Sequence, residues 1–173
     1  MHLFSRKVGC AMAGAMLCAA LAAPVRAAAA APAATATKQH HFFMVYSNPV
    51  PGREKEFIDW YNGQHTHDLL QIEGVVAAQF FKLSEPQYRP GQPHPYQYMV
   101  IWEIDSDNVQ EVFKRIQDNL ANGKTVRSDS FAKVSGNDTF TPISRRLTQQ
   151  EVAGKSAAQV LQMNAPTDRG AVP

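Results

Sequence analysis

The chain has 173 residues, with 17 lysines and arginines against 15 aspartates and glutamates, which gives a formal net charge of +2. This length is typical of one domain, and the excess positive charge lies in the first 40 residues, which contain no acidic residue. Removal of residues 1–27 would leave 14 basic and 15 acidic residues, so the charge does not favour nucleic-acid binding. It would also remove both cysteines, Cys10 and Cys18, which excludes disulfides, thiolate catalysis, cysteine-bound zinc and iron–sulfur clusters from the remainder.

The N-terminus has the features of a secretory signal peptide. A positive segment at Arg6-Lys7 precedes an apolar run over 8–23, and small residues suited to a signal peptidase surround Ala27. We therefore predict a signal peptide at 1–27, followed by an Ala/Pro-rich disordered linker at 28–39. An uncleaved anchor is the alternative, but the run is short and rich in Ala and Gly for a membrane span. The expected location is periplasmic or secreted, with no stable membrane anchor after processing.

Four strands are predicted beyond the linker. Residues 41–46 (HFFMVY), 75–83 and 96–104 are rich in aromatic and branched side chains, which is typical of strands. A fourth strand is expected around 138–146.

Two helices are predicted between these strands. The first begins at Arg53, is interrupted by Gly63 and ends by Gly74. Apolar residues at i, i+3, i+4, i+7 and i+11 from Val109 predict the second helix, with Asp107 as its cap.

The order β-α-β-β-α-β predicts an α+β, ferredoxin-like fold for a domain at 40–147, in which two helices cover one face of a four-stranded antiparallel sheet. Residues 148–173 are expected to hold a short C-terminal helix and a loose tail. The helix is predicted from the capping box that Thr148 forms with Glu151.

The predicted strands are apolar on both faces. In the first strand, Phe43 and Val45 lie on one face, while Phe42, Met44 and Tyr46 lie on the other. An antiparallel sheet with one face in water should alternate apolar and polar residues, so the face opposite the helices needs a cover. We predict a homodimer, in which a second copy packs sheet to sheet about a two-fold axis.

The segment from Asp59 to Asp68 (DWYNGQHTHD) holds the densest group of reactive side chains. On a helix, His65 and Asp68 are neighbours at i, i+3, so the carboxylate would orient the imidazole as an acid or base near neutral pH. Tyr61, one turn earlier, would donate to a substrate oxygen. The alternative is a polar helix end with solvated histidines.

A metal site is a minor hypothesis for the same segment. On a helix, the rings of His65 and His67 point away from each other, and no further ligand spacing supports them. We expect neither a metal nor a cofactor.

The sequence also resembles the EthD-like family of the dimeric α+β barrel superfamily. The most specific part is Trp60-Tyr61, then His65, then Asp68-Leu69-Leu70, followed by Gly74-Val75 and a strand; the resemblance extends over about 41–147. The family's usual pattern has an apolar residue and a proline where this chain has Thr66-His67. The resemblance implies a ferredoxin-like subunit, a dimer across the sheets, and a pocket between sheet and helices.

Two functions remain open from the sequence. The first is a cofactor-free lyase, dehydratase or isomerase acting on a small apolar or aromatic carbonyl compound, with His65, Asp68 and Tyr61 as catalytic residues. The second is a non-catalytic extracytoplasmic protein that binds such a molecule; a haem-binding barrel is a third, weaker alternative. The expected ligand-binding residues are Trp60, Asn62, His67, Phe43 and Tyr98.

Overall fold

The computed structural model describes residues 37–132 and 136–164. Four strands form one sheet in the order β2-β3-β1-β4, and each neighbouring pair is antiparallel. The strands are β1 (Gln39–Ser47), β2 (Val75–Lys82), β3 (Tyr98–Ser106) and β4 (Gly136–Phe140). This sheet, with helices between β1 and β2 and between β3 and β4, is consistent with the predicted ferredoxin-like fold. The predicted signal peptide and most of the linker lie outside the described residues.

Helical segments connect and follow the strands. Between β1 and β2, the chain forms α1 (Glu54–Trp60), a π-helical turn (Tyr61–His65) and α2 (Thr66–Leu70) without a break. The helix α3 (Val109–Ala121) joins β3 to β4, and α4 (Gln149–Val152) and α5 (Ala157–Met163) follow the sheet. No helix among the described residues is long and apolar enough to span a membrane.

The predicted strands have the right order but several wrong ends. Strand β1 begins two residues before the predicted start, and β3 runs two residues further along the chain, because the ladder pairs Gln39 with Ser106 and Ser47 with Tyr98. Strand β4 ends at Phe140, so the prediction of a strand to 146 is wrong. The ladder between β1 and β4 pairs only Phe42–Tyr46 of β1 with Gly136–Phe140. Beyond it, Thr141 approaches β1 through its side chain alone, with its hydroxyl 2.9 Å from His41 Nδ1.

The helix caps show one error and one confirmation. Asn108, rather than Asp107, caps α3, and its side chain accepts a hydrogen bond from the Gln110 N–H at 3.2 Å. The predicted capping box of Thr148 and Glu151 is confirmed at the start of α4. A second capping box, which the sequence analysis missed, begins α5 at Ser156.

The helices cover one face of the sheet, which we call the helix face. Tyr98, Val100, Trp102 and Ile104 of β3 lie there and are almost fully buried. They pack with apolar side chains from the helical segments, namely Phe57, Tyr61, Leu69, Val112 and Ile116. The predicted apolar stripe of α3 is confirmed, since its residues form or border this core.

The opposite face, which we call the open face, is also apolar. Register places Phe42, Met44 and Tyr46 of β1 beside Met99 and Ile101 of β3 on this side. These five side chains are only half-buried, whereas the β3 side chains on the helix face are inaccessible.

Candidate functional site

A cavity of about 570 Å³ lies between the helix face of the sheet and the helices. Its wall is formed by three strands, the end of α1, the π-helical turn, α2, α3 and a loop at 125–131, which we call the rim loop. The lining residues are Phe43, Val45, Trp60, Tyr61, His65, Leu69, Trp102, Gln110, Phe113, Ile116, Gln117, Leu120, Arg127, Ser128, Phe131, Asn137 and Thr139. The wall is thus mainly apolar and aromatic, with polar groups from α3, β4 and the rim loop, as in many small-molecule sites.

The π-helical turn gives the cavity its imidazole. Contrary to the prediction, Gly63 does not interrupt the helix; it lies inside the turn, and a side chain there would meet no atom within 4 Å. The Thr66 N–H donates to the Tyr61 carbonyl, which is the i→i+5 bond of a π-helix, and the Thr66 hydroxyl donates to the same oxygen at 2.5 Å. The extra residue in this turn helps to place Trp60, Tyr61 and His65 together at the cavity wall.

Aromatic rings hold the His65 imidazole from several sides. The ring stacks on Trp60, with centroids 4.3 Å apart, and meets Trp102 and Tyr61 edge to face at 5.6 Å and 5.1 Å. Its Nδ1 atom is buried and has no hydrogen-bond partner among the described residues. Since His65 lines the cavity and Nδ1 is closed off from solvent, Nε2 is the nitrogen that remains to face a ligand.

The charge state of His65 follows from this packing. Burial disfavours the imidazolium and lowers the pKa of His65 to about 4, although the negative charge of Asp68 partly opposes the shift. His65 is therefore neutral at neutral pH, with one ring nitrogen as a hydrogen-bond donor and the other as an acceptor.

Asp68 does not form the predicted hydrogen-bonded dyad with His65. Its Oδ1 atom accepts from Gln64 at 2.6 Å and lies 3.3 Å from His67 Nδ1, and its Oδ2 atom accepts from the Val126 N–H at 2.9 Å. Burial alone would raise the pKa of this carboxyl, but these hydrogen bonds more than offset burial and hold the pKa below its usual range. The i, i+3 spacing brings the two side chains near each other, yet the carboxylate binds the donors of the rim loop and its own helix instead.

The peptide groups on both sides of Val126 connect Trp60 and Asp68 to the rim loop. The Val126 N–H donates to Asp68, and the Val126 carbonyl accepts from Trp60 Nε1 at 2.9 Å. Further along the loop, Asp129 accepts from Arg53 at 2.8 Å. Trp60 and Asp68 therefore hold the loop segment that brings Arg127 to the cavity.

Tyr61 lines the cavity, and its hydroxyl lies near that of Ser47. It approaches the Ser47 hydroxyl closely enough for Ser47 to lower its pKa slightly, although the two groups do not meet ordinary hydrogen-bond geometry. Burial dominates and raises the pKa of Tyr61 to about 12. The Tyr61 ring stacks on Phe80 in the core, with centroids 4.5 Å apart. A donor role for its hydroxyl stays a prediction.

The cavity includes some of the predicted ligand-binding residues and not others. Trp60 and Phe43 line it, as expected. Asn62 and His67 are exposed on the helix surface outside the lining. Tyr98 lies in the core against Phe57 and Phe80, with its hydroxyl bonded to Glu54.

The polar wall of the cavity was missed by the sequence analysis. Arg127 and Ser128 lie in a loop without hydrophobic periodicity, and Asn137 and Thr139 lie on a strand whose start was predicted one residue too late to include Asn137. Gln117 lies in the predicted helix, but its spacing alone does not single it out. No signal in the chain connects these residues before the fold brings them together.

No model of a known protein family matches this sequence, and no curated protein matches it significantly. A solved structure resembles this chain. It is the crystal structure of an EthD family protein from Bacillus halodurans C-125, which is 10% identical, with a TM-score of 0.41 over 59% of this chain and 96% of that one. Its family is the one that the motif at Trp60–Leu70 resembles.

Proposed function

We propose that this protein binds a small apolar or aromatic carbonyl compound in the cavity, with a hydrogen bond from His65 to the ligand oxygen. The observation that carries this proposal is a neutral imidazole, held by Trp60 and Trp102, in the wall of a 570 Å³ cavity. This volume is in the range of small-ligand sites, about 300–1,000 Å³.

The walls favour a flat, apolar ligand body. Trp60, Trp102, Phe43, Phe113 and Phe131 all line the cavity, and aromatic rings favour offset or edge-to-face contacts with another ring.

The position of the His65 proton supports a hydrogen bond to an oxygen. A buried N–H without an acceptor is rarer in proteins than an acceptor without a donor, and Nδ1 has no partner among the described residues. The proton is therefore favoured on Nε2, where a ligand carbonyl would accept from it.

A cofactor-free lyase, dehydratase or isomerase is the second candidate. It is favoured by the charge of Asp68, which raises the pKa of His65 against burial and would stabilise an imidazolium formed during a proton transfer. In this candidate His65 is the general acid or base, and Asp68 acts on it through space, since no hydrogen bond joins them.

We further propose that the protein is exported and works as a homodimer. Export is supported by the N-terminal sequence pattern. The dimer is supported by the half-buried apolar side chains of the open face, including Met44 and Ile101, which a second sheet would cover.

Ligand binding can be tested through the intrinsic fluorescence of the mature protein. The chain has two tryptophans, and both Trp60 and Trp102 line the cavity, so tryptophan emission reports on its contents. We expect the aromatic ketone 4-tert-butylacetophenone to quench this emission saturably. His65→Leu should weaken its binding by roughly 2–10-fold, the value of one neutral hydrogen bond.

His67→Leu is the matched control, because His67 lies two residues away and outside the cavity; it should leave the affinity unchanged. Absence of saturable binding to the wild type, or an equal effect of both substitutions, would contradict the proposal. Exchange of the acetyl methyl protons of the ketone for deuterium in D₂O, measured by NMR, distinguishes simple binding from catalysis. Exchange at least 10²-fold faster with the wild type than with His65→Leu would favour acid–base catalysis.

A further inference from the structure

Among the described residues, the wall of the cavity carries one charged side chain. Of its 17 lining residues, Arg127 is a cation, none is an aspartate or glutamate, and His65 is neutral at neutral pH. Arg127 is exposed and forms no hydrogen bond or ion pair within the part of the chain that the structure describes. An arginine without a partner at the edge of an aromatic cavity is available to a ligand.

The carboxylates of the neighbouring segments are bound to other groups. Asp68 accepts from Gln64 and from the Val126 N–H, Asp129 is paired with Arg53, and Asp118 of α3 is paired with Lys114. Asp138 of β4 lies in register with Met44, on the open face of the sheet. The guanidinium of Arg127 is therefore not neutralised by a described side chain.

The backbone around Arg127 is fixed. The residue before it, Val126, is held through its N–H and its carbonyl, and the Ser130 carbonyl accepts from the Val50 N–H at 2.8 Å. Since the loop is anchored before and after Arg127, little backbone ordering is required when its side chain binds a ligand.

We propose that the ligand is an aromatic or apolar carboxylate, whose ring lies among the aromatic residues of the cavity and whose carboxylate binds Arg127. This inference rests on the proposed ligand-binding function and narrows its substrate class from a carbonyl compound to a carboxylic acid anion. Gln117, Asn137 and Thr139 supply neutral donors in the same wall.

The single arginine favours a carboxylate over a phosphate group. A guanidinium binds a carboxylate through two parallel hydrogen bonds and matches its single negative charge. A phosphate monoester carries a charge closer to −2 at neutral pH, and no second cation lines the cavity among the residues that the structure describes.

The test uses two ligands of nearly the same shape, 4-tert-butylbenzoate and 4-tert-butylacetophenone, and measures their dissociation constants by calorimetry with the mature protein. We expect the benzoate to bind at least 10-fold more tightly than the ketone in low salt, because a charge-assisted bidentate contact is stronger than a neutral one. Arg127→Gln should remove this difference and leave the affinity for the ketone within about 2-fold.

Arg89→Gln is the matched control, since Arg89 is exposed in the β2–β3 loop, outside the lining, and the substitution changes the net charge equally. It should retain the preference for the benzoate. Equal binding of the two compounds to the wild type, or a preference that survives Arg127→Gln, would overturn the carboxylate inference while leaving the proposed binding function intact. If neither compound binds, the proposed function fails and this inference fails with it.

Discussion

The two faces of the sheet are both apolar, yet they differ in what covers them. On the helix face, the side chains of β3 are inaccessible, and the helices leave a cavity with His65 in its wall. On the open face, the apolar side chains are half-buried, and no described helix takes the place that α3 has on the other side. An apolar strand pattern therefore predicts burial of a face but does not identify the group that buries it.

The largest expected effect comes from placing a charge on each face in turn. Val100 is fully buried on the helix face, and its neighbour Ile101 points to the open face. Val100→Glu would bury an unpaired carboxylate, which costs several kcal/mol and should prevent folding. Ile101→Glu should leave the subunit folded, because water reaches that face, but should separate the proposed dimer.

Circular dichroism and light scattering distinguish these outcomes. We expect Ile101→Glu to retain the wild-type far-ultraviolet spectrum at half the wild-type mass. A folded Val100→Glu variant would contradict the assignment of the helix face. An Ile101→Glu variant that stays a dimer would contradict dimerisation through the open face.

The next effect is a loss of stability in acid caused by the buried imidazole. The pKa of His65 is 6.5 in an ordinary setting and about 4 in the folded protein, so the unfolded chain takes up a proton first as the pH falls. Stability should be fully present above pH 6.5 and fall progressively until pH 4. The total loss is about 3 kcal/mol, the free energy that corresponds to this pKa difference.

Urea unfolding at pH 7.5 and pH 4.5 measures this loss. His65→Phe, which keeps an aromatic ring between Trp60 and Trp102, should remove most of it. A smaller loss of the same sign should remain, since burial also lowers the pKa of His41. An equally steep loss in His65→Phe would show that other groups cause the acid sensitivity.

The sequence predicted the covered face better than the site that lies on it. The order of strands along the chain, the stripe of α3 and the proximity of Trp60 to His65 follow from local patterns, because side chains a few residues apart share one element. The cavity between the sheet and the helices was implied instead by the resemblance to the EthD-like family. Asp68 accepts from Gln64, four residues away, and from a backbone N–H 58 residues away, and no spacing along the chain indicates the distant donor. Arg127 was missed because the rim loop has no hydrophobic periodicity. Its place in the cavity wall depends on how the loop lies against the strands and α3, which are distant along the chain.

The smallest expected effect concerns the contact that replaces the predicted dyad. Asp68 is buried at 9% exposure, and its charge-assisted hydrogen bonds hold the rim loop against the helix. Asp68→Asn keeps the shape but loses the negative charge, so we expect the free energy of unfolding at pH 7 to fall by about 1–2 kcal/mol. Asp59→Asn is the matched control, because Asp59 is exposed and pairs only with Lys55 among the described residues; it should change stability by less than about 0.5 kcal/mol.

The pH dependence of this effect follows from the depressed pKa of Asp68 in the folded protein. Its contribution to the free energy of unfolding is present above its ordinary pKa and is lost as the pH falls through the lower folded value. The difference between wild type and Asp68→Asn should therefore persist at pH 5 and shrink below about pH 4, a window distinct from that of His65. Equal stability of the two asparagine variants at pH 7 would mean that Asp68 does not hold the loop, and the fixed position of Arg127 would then need another cause.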